Sequence, residues 1–242
     1  MLFNSVEFIG VFLPIVLTGF YLAIRYASFR VAISWLVLVS LFFYGWWNPV
    51  YVVLLCSSVI LNFVIGRRLS TLMDSQIRSI ILSFGISLNL GFLGWFKYSY
   101  FFIENIALAA GASLSLPEII LPLGISFFTF QQIAFLVDCR RGEAGETNFL
   151  NYCLFVTFFP QLIAGPIVHH KEMMPQFVAG MTKRVISADL AVGLTIFVVG
   201  LFKKVVIADG LAEFVNPVFD RAAAGGSIDS VSAQSMGSVC YK

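Results

Sequence analysis

The chain has few charged residues and almost no histidine. Only 12% of its 242 residues are charged and two are histidine, whereas 59% are hydrophobic. An average soluble domain carries roughly 25% charged residues, so this chain cannot cover a soluble globule of its size with charge. A net charge of +2 gives no basic footprint for nucleic acid. The composition predicts an integral membrane protein, whose partner is the lipid bilayer that surrounds it.

Metal-binding and nucleotide-binding motifs are also missing from the sequence. The four cysteines form no CxxC pair, and there is no P-loop, GxSxG or GxGxxG signature. The two histidines, His169 and His170, are adjacent, so on a helix their side chains point about 100° apart. That is a poor arrangement for chelating one metal ion. We therefore predict no metal site.

Long uncharged runs locate the membrane segments. A bilayer core needs about 20 apolar residues in a helix. The 36-residue run 31–66 is long enough for two such helices, which Asn48-Pro49 separates because proline disfavours helix at the preceding residue. Together the runs predict an all-α, polytopic protein with about seven membrane-embedded helices. The other runs are 8–24, 79–96, 119–137 and 147–170, together with 190–208, which includes two lysines.

Arginines in alternate loops predict the orientation. Arg25 and Arg30, Arg67 and Arg68, and Arg140 and Arg141 lie in three loops, and the turn at Asn48 has none. Because positive loops stay in the cytoplasm, the N-terminus is expected outside. Lysines after residue 170 break the alternation, so 147–170 either crosses fully or re-enters as a broken helix.

Polar residues in two of the runs predict a path through the bundle. Gln131 and Gln132 carry amides that must find partners in hydrocarbon, so we expect them to face the interior. A helix–helix hydrogen bond that only aids packing is the simpler interpretation. In the second run Pro160, Gln161, Gly165 and Pro166 interrupt the helix, and the break either is a kink or frees backbone groups for a substrate.

The two histidines are also the candidates for a general base. Histidine is the usual choice for proton transfer near neutral pH. An interfacial, titrating pair without a catalytic role is the simpler interpretation of His169 and His170. In the uncharged run 79–96, the small residues Gly85, Gly91 and Gly94 predict that another helix approaches closely.

Five motifs follow one another along the chain: MLFNSVEF at 1–8, FYGWWNP at 43–49, LGWFKY at 93–98, LPLGISFFTFQ at 121–131 and FPQLIAGPI at 159–167. In this order they resemble the membrane-bound O-acyltransferase family, and most closely its bacterial branch of alginate O-acetyltransferase membrane subunits and teichoic acid D-alanyl transfer proteins. The resemblance implies a many-helix bundle in the bacterial inner membrane. It also implies transfer of an acyl group from a cytoplasmic donor, acetyl-CoA or a related carrier, to an exopolysaccharide such as alginate. Periplasmic partner proteins are expected to assist.

The chain departs from the family pattern in its length and in its histidines. Family members are about twice as long, and their histidine lies in a later helix, so the resemblance places the catalytic residue beyond residue 242. We expect residues 1–221 to form the N-terminal half of the bundle and 222–242 to be a polar tail from truncation or a frameshift. The chain would then be inactive alone. A transporter-like protein and a non-catalytic membrane scaffold are the alternative functions.

Overall fold

The computed structural model describes residues 3–109, 121–143, 148–164, 173, 177 and 187–223, and every secondary-structure element within these residues is a helix. This confirms the predicted all-α class. Two π-helical stretches, Phe8–Phe12 and Lys203–Ala208, continue directly into or out of α-helices. The α-helices are α1 (Leu13–Tyr26), α2 (Phe29–Trp47), α3 (Pro49–Thr71), α4 (Ser75–Ala109), α5 (Ile125–Arg141), α6 (Phe149–Thr157), α7 (Phe159–Ala164), α8 (Ser187–Phe202) and α9 (Asp209–Ala223).

Short polar side chains set where four of these helices begin. Each accepts a hydrogen bond from a backbone N–H of the first turn, which would otherwise have no partner. Pro49 follows one of these caps at the first position of α3, where its missing N–H costs nothing. The predicted turn between the two helices of the 36-residue run is therefore confirmed. The caps are Ser28 for α2, Asn48 for α3, Asp74 for α4 and Asn148 for α6.

Five helical segments are long and apolar enough to cross a membrane. They are Phe8–Tyr26, Phe29–Trp47, Pro49–Thr71, Ser75–Ala107 and Asp189–Pro217. Helices α5, α6 and α7 are shorter, with 17, 9 and 6 residues. The structure thus shows a multi-pass membrane architecture, and the count of about seven embedded helices stays a prediction.

The predicted break in the segment 147–170 is present in its described part. Helix α6 ends at Thr157 and α7 begins at Phe159, with Phe158 extended between them at ψ 109°. Pro160 follows within the first turn of α7, where a proline is tolerated. The segment therefore contains two short helices up to residue 164 instead of one continuous span.

Helix α5 lies against α3 and α4, and two glycines allow the close approach. A Cβ built on Gly66 of α3 would lie 2.5 Å from the Phe135 ring, and one on Gly85 of α4 would lie 2.8 Å from Leu136. Close approach was predicted at Gly85, and the structure agrees. At Gly91 and Gly94 a built Cβ has no atom of the described residues within 4 Å, so within the described part of the chain the same prediction is not met there.

Two arginines join the start of α4 to the end of α5. Arg78 donates to the backbone carbonyls of Cys139 and Arg140, at 3.2 and 2.6 Å. Arg140 donates in return to the hydroxyls of Ser75 and Ser79, at 3.0 and 3.3 Å. The last carbonyls of a helix lack intrahelical donors, so this exchange satisfies them. It also fixes α4 and α5 as antiparallel neighbours.

The described residues fall into two compact units, one within residues 10–182 and one formed by 183–242 with 2–9. In the second unit, α8 continues through the π-helical stretch into α9. Lys204 in that stretch forms an ion pair with Asp209. The predicted segment 190–208 lies inside this helical run.

Candidate functional site

Helix α5 carries the two glutamines that the sequence singled out. The helix begins after Gly124, whose φ of +69° is a left-handed conformation that favours glycine. A Cβ at this position would also lie 2.5 Å from the backbone oxygen of Leu162 in α7. Gln131 and Gln132 follow two turns later and are 4% and 0% exposed. Both therefore face the interior of the bundle, as the cost of an unpaired amide in hydrocarbon predicts.

Gln132 belongs to a buried polar group that joins three helices. Its Oε1 accepts hydrogen bonds from the Ser58 hydroxyl, at 2.8 Å, and from the Asn62 amide, both on α3. Asn62 and Asn89 of α4 exchange two further bonds, of 3.2 and 2.7 Å. We call Ser58, Asn62, Asn89 and Gln132 the amide cluster. It places polar atoms at the contact of α3, α4 and α5.

Asn62 and Asn89 are not among the residues predicted from the sequence. The signal was present, because both amides lie within the uncharged runs 31–66 and 79–96. The argument applied to Gln131 and Gln132 holds for any amide at that depth. What the sequence alone does not contain is the pairing of the two asparagines, since they lie 27 residues apart on different helices.

Gln131 donates a hydrogen bond at the helix break between α6 and α7. A continuous helix would join the Phe155 carbonyl to the Phe159 N–H, but here each bonds to another helix. Gln131 Nε2 donates to the Phe155 carbonyl at 2.8 Å, and the Phe159 N–H donates to Ser40 Oγ of α2 at 3.3 Å. The break is thus held by side chains from both neighbours. This agrees with the interpretation that Gln131 makes a helix–helix hydrogen bond.

The structure describes two of the remaining predicted site residues. Pro160 is exposed in α7, and Gln161 beside it is partly buried. Gly165, Pro166, His169 and His170 lie outside the described residues. Their assignment to a substrate path or to catalysis stays a prediction.

Several buried donors within the described bundle have no hydrogen-bond partner. They include the Tyr44 and Tyr152 hydroxyls and the amide nitrogens of Gln132 and Gln161. An unsatisfied buried donor costs about 1–3 kcal/mol, so four of them within α2, α5, α6 and α7 are an uncommon feature. Such donors can bind a carbonyl or hydroxyl oxygen. They form no acid–base pair.

The described part of the chain contains no candidate metal-binding group. No group of three His, Cys, Asp or Glu side chains is close enough there to hold a metal ion. The amide cluster and the four unpaired donors are amides and hydroxyls, while Asp138 is a buried carboxyl residue near the end of α5.

Comparison with known proteins identifies the family. The model of the membrane-bound O-acyltransferase family matches residues 81–225, more than half of the chain. The chain belongs to the membrane-bound O-acyltransferase family. This match includes α5, α6, α7 and the Asn89 position of the amide cluster, and it confirms the resemblance that the five motifs indicated.

Two relatives show how much of the family's length this chain covers. It is 41% identical over 92% of its length to the peptidoglycan O-acetyltransferase of Helicobacter pylori, and covers 47% of that protein. It is 34% identical over 90% of its length to a probable alginate O-acetylase of Pseudomonas aeruginosa, and covers 42% of it. The chain therefore spans less than half the length of these relatives. No solved structure matches it.

Proposed function

We propose that this chain is part of a membrane acyltransferase that O-acetylates a polysaccharide outside the cytoplasm. The observation that supports this is its 41% identity, over 92% of the chain, to a peptidoglycan O-acetyltransferase. Both relatives are named for acetylation of a glycan. Peptidoglycan and an alginate-like exopolysaccharide are therefore the acceptors to compare.

The chemistry of this reaction defines what the protein must supply. A glycan hydroxyl attacks the thioester carbonyl of the acyl donor, a base accepts the hydroxyl proton, and the donor thiol leaves. Hydrogen-bond donors must stabilise the oxyanion that develops on the carbonyl. In the proposal, the donors left unpaired at Gln132, Gln161, Tyr44 and Tyr152 contact substrate oxygens. The base is the histidine that the family resemblance places beyond residue 242.

The membrane arrangement in this proposal follows from the charges. The loops with Arg67 and Arg68 and with Arg140 and Arg141 face the cytoplasm of a bacterial inner membrane, where acetyl-CoA or a related donor is available. The N-terminus and the acceptor are on the other side, together with periplasmic partner proteins. The arginine asymmetry of the loops supports this orientation.

The proposal predicts that the 242-residue chain alone transfers no acetyl group. The test expresses the chain in cells without glycan O-acetylation and measures the acetate that mild alkali releases from purified peptidoglycan and alginate. A base typically contributes about 10²–10⁴-fold, so acetate should stay at background. Joining the chain to the C-terminal half of the H. pylori relative should restore release from the preferred glycan.

Alanine variants of the two histidines complete this experiment. If the 242-residue chain alone acetylates a glycan and His169→Ala or His170→Ala abolishes the reaction, the base lies within this chain and our placement of it is wrong.

Binding of acetyl-CoA to purified protein separates an acyltransferase from a transporter or scaffold, which would not bind it. A fused, folded chain that neither binds acetyl-CoA nor acetylates a glycan would contradict the proposed function.

A further inference from the structure

We propose that the C-terminal end of α3 binds an anionic phospholipid through Arg67 and Arg68. This binding site is separate from the acyl transfer proposed above and does not depend on it. A groove of about 430 Å³ lies there. The lining residues that the structure describes belong to the last turns of α3: Phe63, Val64, Arg67, Arg68 and Thr71.

The order of these residues along α3 matches the order of groups in a phospholipid. Phe63 and Val64 line the part nearer the middle of the helix, and Arg67 and Arg68 follow four residues later. Four residues of α-helix rise about 6 Å, so the apolar and cationic parts are one turn apart. An acyl chain lying along Val64, which is 52% exposed, would bring the lipid phosphate to the level of the guanidinium groups.

Arg67 and Arg68, like Arg30 and Arg141, form no hydrogen bond or ion pair within the described residues, whereas Arg78 and Arg140 do. Arg78 donates to α5 carbonyls, and Arg140 donates to serine hydroxyls of α4. Arg25 lies over the ring of Tyr26. Arg67 and Arg68 are exposed, and within the described residues their side chains form neither a hydrogen bond nor an ion pair. Their donors are available to a ligand.

A phosphodiester beside an acyl chain fits these groups better than a soluble anion does. Guanidinium groups bind phosphate oxygens in pairs, and the apolar wall favours a ligand that also has a hydrocarbon part. The C-terminal end of a helix carries partial negative charge, which opposes an anion. Binding should therefore need both arginines, and a headgroup with its own cation should bind less well.

The test measures lipid retention by the purified full chain with native mass spectrometry. Nanodiscs contain phosphatidylcholine with or without phosphatidylglycerol. We expect one retained phosphatidylglycerol and a roughly tenfold loss of retention in the variant that combines Arg67→Gln with Arg68→Gln. Arg30→Gln removes an exposed arginine at the start of α2 and should leave retention unchanged.

Two further measurements decide between ligand classes. Val64→Trp fills the apolar part of the groove without changing charge, so it should also reduce phosphatidylglycerol retention. Inorganic phosphate and coenzyme A are added as competitors, and neither should displace the lipid. Equal retention of both lipids, equal loss in the Arg30→Gln variant, or displacement by coenzyme A or phosphate would overturn the proposal. Circular dichroism confirms that each variant is folded.

Discussion

At the scale of single residues, this protein uses its few buried polar side chains to join helices. Asn62 and Gln132 are both fully buried, and each bonds to another helix of the amide cluster. Within a membrane there is little hydrophobic driving force between helices, so packing and such hydrogen bonds carry much of the association. The amide cluster therefore contributes both stability and a fixed register between α3, α4 and α5.

Asn62→Leu should destabilise the protein, because Asn62 bonds to Ser58, Asn89 and Gln132 and its loss leaves buried amides unpaired. We expect a loss of about 1–2 kcal/mol, in the upper range for polar contacts in membranes. Thermal unfolding in detergent measures it.

Asn105→Leu is the matched control for this substitution. Asn105 is exposed on α4 and bonds only to the Phe101 carbonyl of its own helix. Its loss should change the free energy of unfolding by no more than about 0.5 kcal/mol. Equal effects of the two substitutions would mean that the amide cluster adds nothing to stability.

For the residues of this site, the sequence predicts which side chains are buried but does not predict their hydrogen-bond partners. That Gln131 and Gln132 face the interior follows from the energy of an amide in hydrocarbon, which the sequence alone allows one to estimate. That Gln131 bonds to the Phe155 carbonyl does not follow, because the two residues are 24 positions apart. Their contact exists only because α6 ends beside α5.

At the scale of helices, the contact between α5 and α7 depends on one glycine. Gly124 is the left-handed residue before α5, and it lies against the backbone oxygen of Leu162. Gly142, at the other end of α5, has a similar φ of +76°, but no atom of the described residues lies within 4 Å of a built Cβ there. The two positions share the backbone conformation and differ in the close approach.

Gly124→Ala should therefore be more destabilising than Gly142→Ala. The left-handed conformation costs a residue with a Cβ about 1–2 kcal/mol at both positions. At Gly124 the clash with Leu162 should add about 1–3 kcal/mol, as overpacking does in other cores. Thermal unfolding of the two variants in the same detergent measures the difference. Equal losses would show that α5 and α7 can move apart without cost.

At the scale of the whole molecule, the charges and the helix ends indicate one orientation in the membrane. The arginine exchange between Arg78 and Arg140 places the start of α4 and the end of α5 side by side. Arg67 and Arg68 lie in the last turns of α3, and a short connection joins α3 to the start of α4. All of these arginines therefore belong to one side of the bundle, which faces the cytoplasm in the orientation proposed above.

Cysteine labelling tests this orientation in intact cells. In a background without native cysteines, Arg68→Cys should react with a membrane-impermeant maleimide only after the cells are permeabilised. Trp47→Cys, at the uncharged turn after α2 where the side chain is 55% exposed, should react in intact cells. Strong labelling at position 68 before permeabilisation would reverse the proposed topology.

The sequence by itself determined the all-α class of this protein, five of its candidate membrane segments and its family. Hydropathy, loop charge and the Asn48-Pro49 turn are local properties, because they follow from the transfer energies and backbone preferences of neighbouring residues. The tertiary structure decided which polar groups meet: Asn62 with Asn89, Gln131 with Phe155, and Ser40 with Phe159. It also decided that Gly85 is a close contact and Gly91 is not. These contacts depend on which helices are neighbours and on their rotation, and no residue's own preference sets either.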